Sequence, residues 1–371
     1  MNKHYILLTY LLIASVFVSC NKSEIPPQDN NTSIEIDKSY ILFDVGISTR
    51  GALNEAKVLT DNFNVLGYQY PGEWEFANTT LLPNVFGDEN GPQLVKYEGG
   101  IFKYNPMRRW TGNTYSFFAY YPIDNDNLIL FDNGSTRRGI PYITYKLPDT
   151  NDPRDLIDVL TAGYLNTGVS QSTANTVSFE MVHRLSAIDI CARNNYKYDD
   201  DNNPETDGVA VNIEITNFEI TFNNIITSAK LYLDTITPEI TTETGSTGTR
   251  SYQIIGNAGW GMNSVVLTPN NNENLDLQYI TTDTEGKETT LIVIPQEDLD
   301  CHIKLTYQKK DTNNTNIEAP VTVEKDITFT NKLVEGYRYY LDLTFTSEAV
   351  SVRVDSTNSW EDLDDVEHKF E

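Results

Sequence analysis

The sequence predicts an all-β protein, and three observations point to this class. Tyr and Phe are abundant, at 22 and 15 of 371 residues, and Thr and Asn are plentiful, as expected for strands joined by polar loops. Few windows show the i, i+3, i+4, i+7 spacing of apolar residues that marks an amphipathic helix. Several segments instead alternate apolar and polar residues with a period of two, as half-buried strands do.

The first element is an apolar run from Tyr5 to Val18 that ends at Val18-Ser19-Cys20. It is shorter than the roughly 20 residues that a membrane-spanning helix needs, and Lys3 precedes it, as in an export signal. A small residue before Cys20 suits a peptidase that cleaves there and leaves the thiol as a lipid anchor. We therefore predict a lipoprotein signal peptide over residues 1–19 and a flexible lipidated leader over 20–38. The alternative is an ordinary secretory signal in which Cys20 is incidental.

Four later segments have the alternation of a strand with one buried face. The last two are predicted to form a hairpin across Ser347-Glu348. The alternating apolar residues are Ile41, Phe43, Val45 and Ile47 in the first segment; Val209, Val211, Ile213 and Ile215 in the second; Tyr337, Tyr339, Leu341, Leu343 and Phe345 in the third; and Val350, Val352 and Val354 in the fourth.

A polar run from Asp199 to Gly208, with Pro204 inside it, separates the two halves of the chain. Such a run does not continue a central strand. A mature chain of about 350 residues also exceeds what one hydrophobic core usually serves. We therefore predict two domains, at residues 39–200 and 208–371.

The acidic part of this run could bind calcium, because a hard cation prefers oxygen ligands. Asp199, Asp201 and Asn203 match the first three ligand positions of an EF-hand loop, but the required Gly falls on Pro204 and the closing Glu on Ala210. A solvated loop is the main interpretation, and an irregular calcium site at Asp199 and Asp201 is the minor one.

The chain shows no motif of a catalytic or cofactor site. His183 and His302 belong to no H-x-x-x-H or H-x-x-E pattern, and G-x-S-x-G and P-loop patterns are missing. Cys191 and Cys301 are predicted to be buried thiols, with a disulfide as the lesser alternative. The net charge of −26 argues against nucleic acid and anionic membrane surfaces as partners. We expect no enzyme, no cofactor and no nucleic-acid partner.

A series of aromatic and polar phrases, in a fixed order, resembles the fimbrillin family, in particular its Mfa-like branch of lipoprotein pilus subunits from anaerobic Gram-negative bacteria. The resemblance spans most of the chain and is looser in the second half. The phrases are Phe63 to Tyr68, Trp110, Tyr115 to Pro122, Asp155 to Ile157, Val177 to Ser186, Ile294 to Gln296, Glu335 to Tyr339 and Trp360.

The resemblance implies two transthyretin-like β-sandwich domains of the seven-stranded Greek-key type behind the signal peptide. It also implies export as an outer-membrane lipoprotein through Cys20, and surface assembly with other fimbrillin subunits into a fimbrium that supports adhesion. In oral members an arginine-specific protease removes the leader with the first strand, and a strand of another subunit fills the groove.

Arg50 is the candidate for that cut, because it directly follows the alternating segment that ends at Ile47. Cleavage there would release a first strand whose buried face is Ile41, Phe43, Val45 and Ile47. Arg108-Arg109 and Arg137-Arg138 would also be open to such a protease if exposed.

Two further expectations concern the role of the subunit. The apolar residues after Val354 are sparse and irregular, which suits a donor strand poorly. We therefore consider a tip, anchor or accessory subunit that accepts a strand without donating one. The alternative function is a monomeric surface lipoprotein that binds glycan or a host protein through Trp74, Trp110 and Trp260.

Overall fold

A computed structural model describes residues 39–47, 61–70, 86, 91–111, 113–123, 129–137, 140–167, 176–198, 209–233, 240–242, 245–256, 263–269, 278–280, 290–311, 313–329, 333–347 and 349–356. Cys20, Arg50 and the acidic run 199–208 lie outside these residues.

The described chain consists of strands and one 3₁₀ turn, Pro153–Asp155, so the predicted all-β class is confirmed. The strands up to the acidic run are β1 (Leu42–Ile47), β2 (Phe63–Tyr70), β3 (Gln93–Glu98), β4 (Ile101–Lys103), β5 (Thr114–Tyr121), β6 (Ile129–Arg137), β7 (Ile140–Lys146), β8 (Leu160–Thr167), β9 (Thr176–His183), β10 (Ser186–Asn194) and β11 (Lys197–Tyr198). After it come β12 (Val209–Ala210), β13 (Asn212–Ile226), β14 (Ser228–Tyr232), β15 (Ile240–Thr242), β16 (Thr247–Ile255), β17 (Val265–Leu267), β18 (Gln278–Tyr279), β19 (Leu291–Val293), β20 (Leu299–Lys310), β21 (Val321–Phe329), β22 (Arg338–Phe345) and β23 (Val350–Ser356).

The largest sheet has seven strands in the order β1-β9-β8-β5-β2-β3-β4. Two five-stranded sheets are formed by β18-β10-β22-β23, with β19 also on β10, and by β16-β13-β20-β21, with β17 also on β13. A four-stranded sheet runs β15-β14-β7-β6, and β11 pairs with β12. The predicted hairpin of β22 and β23 is confirmed, with Leu341 opposite Val354.

Three of these sheets join strands from the ranges 39–200 and 208–371. β7 pairs with β14, β11 pairs with β12, and β10 runs parallel to β22 over eight residue pairs. The described residues belong to one compact unit, Lys38–Glu371. The division into two domains at 199–208 stays a prediction.

Strand β5 is buried on both faces, which explains its nearly continuous aromatic sequence. Phe117, Ala119 and Tyr121 face one hydrophobic cluster together with β1 and β9. Phe118 and Tyr120 face the other cluster, which extends through the remaining sheets. The seven-stranded sheet is thus covered on both sides, as a strand with apolar residues on both faces requires.

Parallel strands β10 and β22 carry a buried polar layer on the face opposite their apolar core. Asp189 pairs with Arg338 at 3.1 Å, and Arg193 pairs with Asp342. Cys191 lies between them, and burial raises the pKa of its thiol. Cys191 and Cys301 are both free and buried, as predicted. Burial of charges is tolerated here because each one is paired.

Candidate strand-exchange site

Strand β1 lies at one end of the seven-stranded sheet and pairs with a single strand. Its partner β9 runs parallel to it, with Leu42 opposite Thr176 and Ile47 opposite Met181. Because β1 ends the sheet, its removal would break only this one strand–strand ladder.

The chain just before β1 is held by a second segment. The Ile41 amide donates to the Arg108 carbonyl at 2.9 Å, and the Trp110 amide donates to the Ser39 carbonyl at 3.0 Å. The Arg109 guanidinium lies 4.3 Å from the centre of the Tyr40 ring and donates to its hydroxyl at 3.0 Å. Residues 108–110 therefore hold residues 39–41 in place through backbone and side-chain contacts. We call residues 108–110 the clasp.

A buried tyrosine joins these two segments. The Tyr104 hydroxyl donates to the Ile41 carbonyl at 2.8 Å and accepts from the Arg108 amide at 3.2 Å. Burial raises the pKa of Tyr104 to about 12, so the hydroxyl keeps its proton at neutral pH. Sequence reasoning missed this residue, because Tyr104 and Ile41 are 63 residues apart and no local pattern links them.

Three of the four side chains predicted for the inner face of the first strand are described, and all three are buried. Ile41, Phe43 and Val45 expose 0%, 5% and 5% of their surface, whereas Asp44 and Gly46 face solvent. At about 1.5–3 kcal/mol for each large buried side chain, these three contribute roughly 4.5–9 kcal/mol. That range is comparable to the whole stability of a typical domain, about 5–15 kcal/mol.

Phe43 lies at the centre of an aromatic group. Its ring centroid is 5.3 Å from that of Tyr104 and 5.6 Å from those of Phe86, Phe117 and Phe179. Phe86 also packs edge-on against Phe117 at 5.3 Å. Removing β1 would leave a groove with an aromatic floor, shaped for another large apolar side chain.

Gly67 of β2 allows Phe86 to approach this floor. A Cβ built at Gly67 would lie 2.4 Å from Cδ2 of Phe86 and 3.1 Å from Cε1 of Phe117. Any side chain there would displace the ring of Phe86.

The predicted site residues divide into two groups. Ile41, Phe43 and Val45 lie together in the groove, and the backbone of Ile47 completes the ladder with β9. Cys20 and Arg50 fall outside the described residues, so lipidation and cleavage stay predictions. Arg108 and Arg109 are exposed, and their backbone is part of the clasp on residues 39–41.

The remaining candidates have structural contacts. Buried His183 places Nδ1 2.7 Å from Oδ2 of Asp158, as a packed histidine with a hydrogen-bonded ring nitrogen does, and His302 pairs with Asp326 on the surface. Trp110 is 5% exposed and packs edge-on against Tyr115, so it is closed to sugar rings. Trp74 and Trp260 lie outside the described residues.

Within the described ranges, no group of three or more His, Cys, Asp or Glu side chains could hold a metal ion. The same residues contain no helix that is long and apolar enough to cross a membrane.

Fold and site together define an all-β chain of several sheets, in which the edge strand β1 is seated among aromatic side chains. Residues 77–360 match the sequence model of the family described as Fimbrillin-like, and the chain belongs to that family. The resemblance noted from its sequence phrases is thereby confirmed.

Two relatives can be named. The chain is 22% identical over 390 aligned residues to a fimbrium subunit Fim1C of Phocaeicola vulgatus, covering 96% of this chain and 97% of that one. A crystal structure of a fimbrial protein from Bacteroides vulgatus superposes with a TM-score of 0.64 at 18% identity, covering 86% and 99% of the two chains. The second likeness supports the fold.

Proposed function

We propose that this chain is a structural subunit of a cell-surface fimbrium, in the stalk, at the tip or as an accessory, and that it supports adhesion. It is exported as a lipoprotein through Cys20 to the outer membrane and assembles with other fimbrillin subunits by strand exchange after cleavage at Arg50. Family membership and the fimbrial relative support the role of a fimbrial subunit. We assign it no catalytic activity.

One observation carries the strand-exchange step. β1 is an edge strand that buries Ile41, Phe43 and Val45 in an aromatic groove, and Arg50 follows it by three residues. Cleavage at Arg50 would sever β1 from the rest of the domain and leave only its non-covalent contacts. An added strand can replace both the backbone ladder and the side chains, as in β-augmentation.

The alternative is a monomeric surface lipoprotein that binds glycan or a host protein. Its sequence support was a set of exposed tryptophans, and the burial of Trp110 removes one of the three. A monomer that binds polysaccharide on an affinity gel and forms no ladders would favour this alternative.

The direct test is N-terminal sequencing and intact mass of surface-shed protein, beside a gel for ladders that survive mild detergent without boiling. We expect a new terminus at Gly51 and a ladder, and we expect Arg50→Ala to abolish both. Arg154→Ala, at an exposed position in the 3₁₀ turn, is the matched control. A shed monomer that keeps lipidated Cys20 would contradict the strand-exchange proposal.

A second test probes the groove itself. A labelled peptide of residues 39–47 should bind the cleaved subunit, and the same peptide with Phe43→Asp should not, because a carboxylate would be buried among aromatic rings. Equal binding of both peptides would show that the groove does not discriminate between Phe and Asp at position 43.

A further inference from the structure

The hairpin of β3 and β4 and the residues that follow it, up to Trp110, carry a local excess of positive charge in a strongly acidic chain. Residues 93–110 carry four cationic side chains and one carboxylate, Glu98, for a local net charge of +3, whereas the whole chain carries −26. We name Lys96, Lys103, Arg108 and Arg109 the basic patch.

Two of these cations sit directly opposite each other. Lys96 is the register partner of Lys103 in the antiparallel pair, and both side chains are exposed. Like charges in directly opposite positions destabilise a hairpin. Within the described residues, Lys96, Lys103 and Arg108 have no carboxylate at ion-pair distance, so the stability of this chain alone does not explain the arrangement.

The hairpin that carries Lys96 and Lys103 of the basic patch is well anchored. Its inner face packs Phe102 against Tyr97 at 5.1 Å and against Phe63 at 5.2 Å. Gly99 and Gly100 turn the chain with φ of 63° and 85°, as a tight two-residue hairpin loop requires. The outer face is thereby held in place as a fixed surface.

Apolar side chains accompany the cations. Ile101 and Met107 are 40% and 39% exposed and are among the few exposed large apolar residues of the part of the chain that the structure describes. Their presence indicates a partner that brings apolar groups as well as negative charge.

We propose that the basic patch docks the acidic C-terminal segment 357–371 of a second copy of this chain. That segment carries six carboxylates and one lysine, for a net charge of −5, and interleaves them with Trp360, Leu363, Val366 and Phe370. The acidic run 199–208 has five carboxylates but no large apolar side chain. It could therefore pair with the cations of the patch but not with the exposed Ile101 and Met107. The irregular apolar spacing that disfavours a donor strand does not impair surface docking.

This proposal rests on the proposed function only in taking a second subunit as the partner. The patch shares Arg108 and Arg109 with the clasp on residues 39–41, and Arg109 contacts Tyr40. Loss of the first strand would free Arg109 from Tyr40 and strengthen the patch. Docking in the uncleaved chain needs only Lys96, Lys103 and Arg108.

The test is sedimentation velocity of the full uncleaved chain over a range of concentrations at low and moderate salt. We expect self-association that weakens as salt rises, because exposed charges are screened. Replacing Lys96, Lys103 and Arg108 by Ala should weaken it roughly tenfold, since exposed pairs contribute modestly but add up. Lys304→Ala with Lys325→Ala, on the β20–β21 hairpin, is the matched control and should leave it unchanged.

Competition by synthetic peptides identifies the segment that binds the basic patch. A peptide of residues 357–371 should dissociate the oligomer, and one of residues 199–208 should not. Concentration-independent monomers, equal competition by both peptides, or a triple variant that associates like the parent would overturn the proposal. Retention of a monomeric chain on a sulfated polysaccharide, lost in the triple variant, would overturn it in favour of an anionic glycan. None of these results depends on cleavage, so failure of strand exchange would be seen separately.

Discussion

Phe43 of β1 stacks on Phe179 of β9, with ring centroids 5.6 Å apart and an angle of 20° between the planes. The two residues are not register partners, since Val45 lies opposite Phe179. The contact therefore runs diagonally between the strands. It links β1, the strand that we propose is removed, to β9, the strand with which a replacement strand would pair.

Phe43→Ala should lower the free energy of unfolding by about 3–5 kcal/mol, because a large buried ring is lost and the surrounding rings close the space only partly. Urea unfolding followed by circular dichroism measures it. Asp44→Asn, exposed in the same strand, should change stability by less than about 0.5 kcal/mol. Similar losses in both variants would mean that the aromatic group does not hold β1.

Tyr104→Phe should loosen the clasp before β1 without emptying the core. It removes the hydroxyl that donates to the Ile41 carbonyl, at a cost of about 1 kcal/mol. We expect faster hydrogen exchange at the amides of Ile41 and Trp110, which bridge the two segments. Tyr97→Phe on the neighbouring hairpin is the control, and an unchanged exchange rate in Tyr104→Phe would refute the role of this hydroxyl.

Gly67→Ala should destabilise the groove by about 1–3 kcal/mol, the usual cost of overpacking a core. The new methyl group would collide with the ring of Phe86. Gly46→Ala is the matched control in β1, since its Cβ would meet nothing closer than the Phe179 carbonyl oxygen at 3.9 Å. Thermal unfolding of the two variants compares them, and equal melting temperatures would contradict this account.

Glu214→Gln should reduce stability at pH 7 and matter less in acid. The Lys310 ammonium and the Ser264 hydroxyl hold the pKa of the Glu214 carboxyl below its usual value near 4.5, although burial opposes them. A carboxyl with a lower pKa in the folded state stabilises the fold above its unfolded pKa, and this contribution is lost as pH falls through the folded pKa.

We therefore expect the urea midpoints of the parent and Glu214→Gln to differ at pH 7 and to converge below about pH 4. Glu180→Gln, at an exposed position in β9 with no described basic neighbour, is the comparison. A difference between parent and Glu214→Gln that stays constant down to pH 3 would show that the carboxyl does not stabilise through its charge.

Several elements could be predicted from the sequence because their signal is local. The alternation of Ile41, Phe43 and Val45 fixes which side chains of β1 are buried, and the double aromatic pattern of β5 requires cover on both faces. The hairpin of β22 and β23 follows from two alternating runs with a short polar link.

The tertiary structure decided which strands pair and which side chains come into contact. The sequence alone determined the all-β class, the buried face of the first strand and the uneven distribution of charge along the chain. It could not indicate that β1 runs parallel to β9 or that Tyr104 joins Ile41 to Arg108. These relationships join residues far apart in the chain, and period-two alternation specifies which face of a strand is buried without specifying its neighbour.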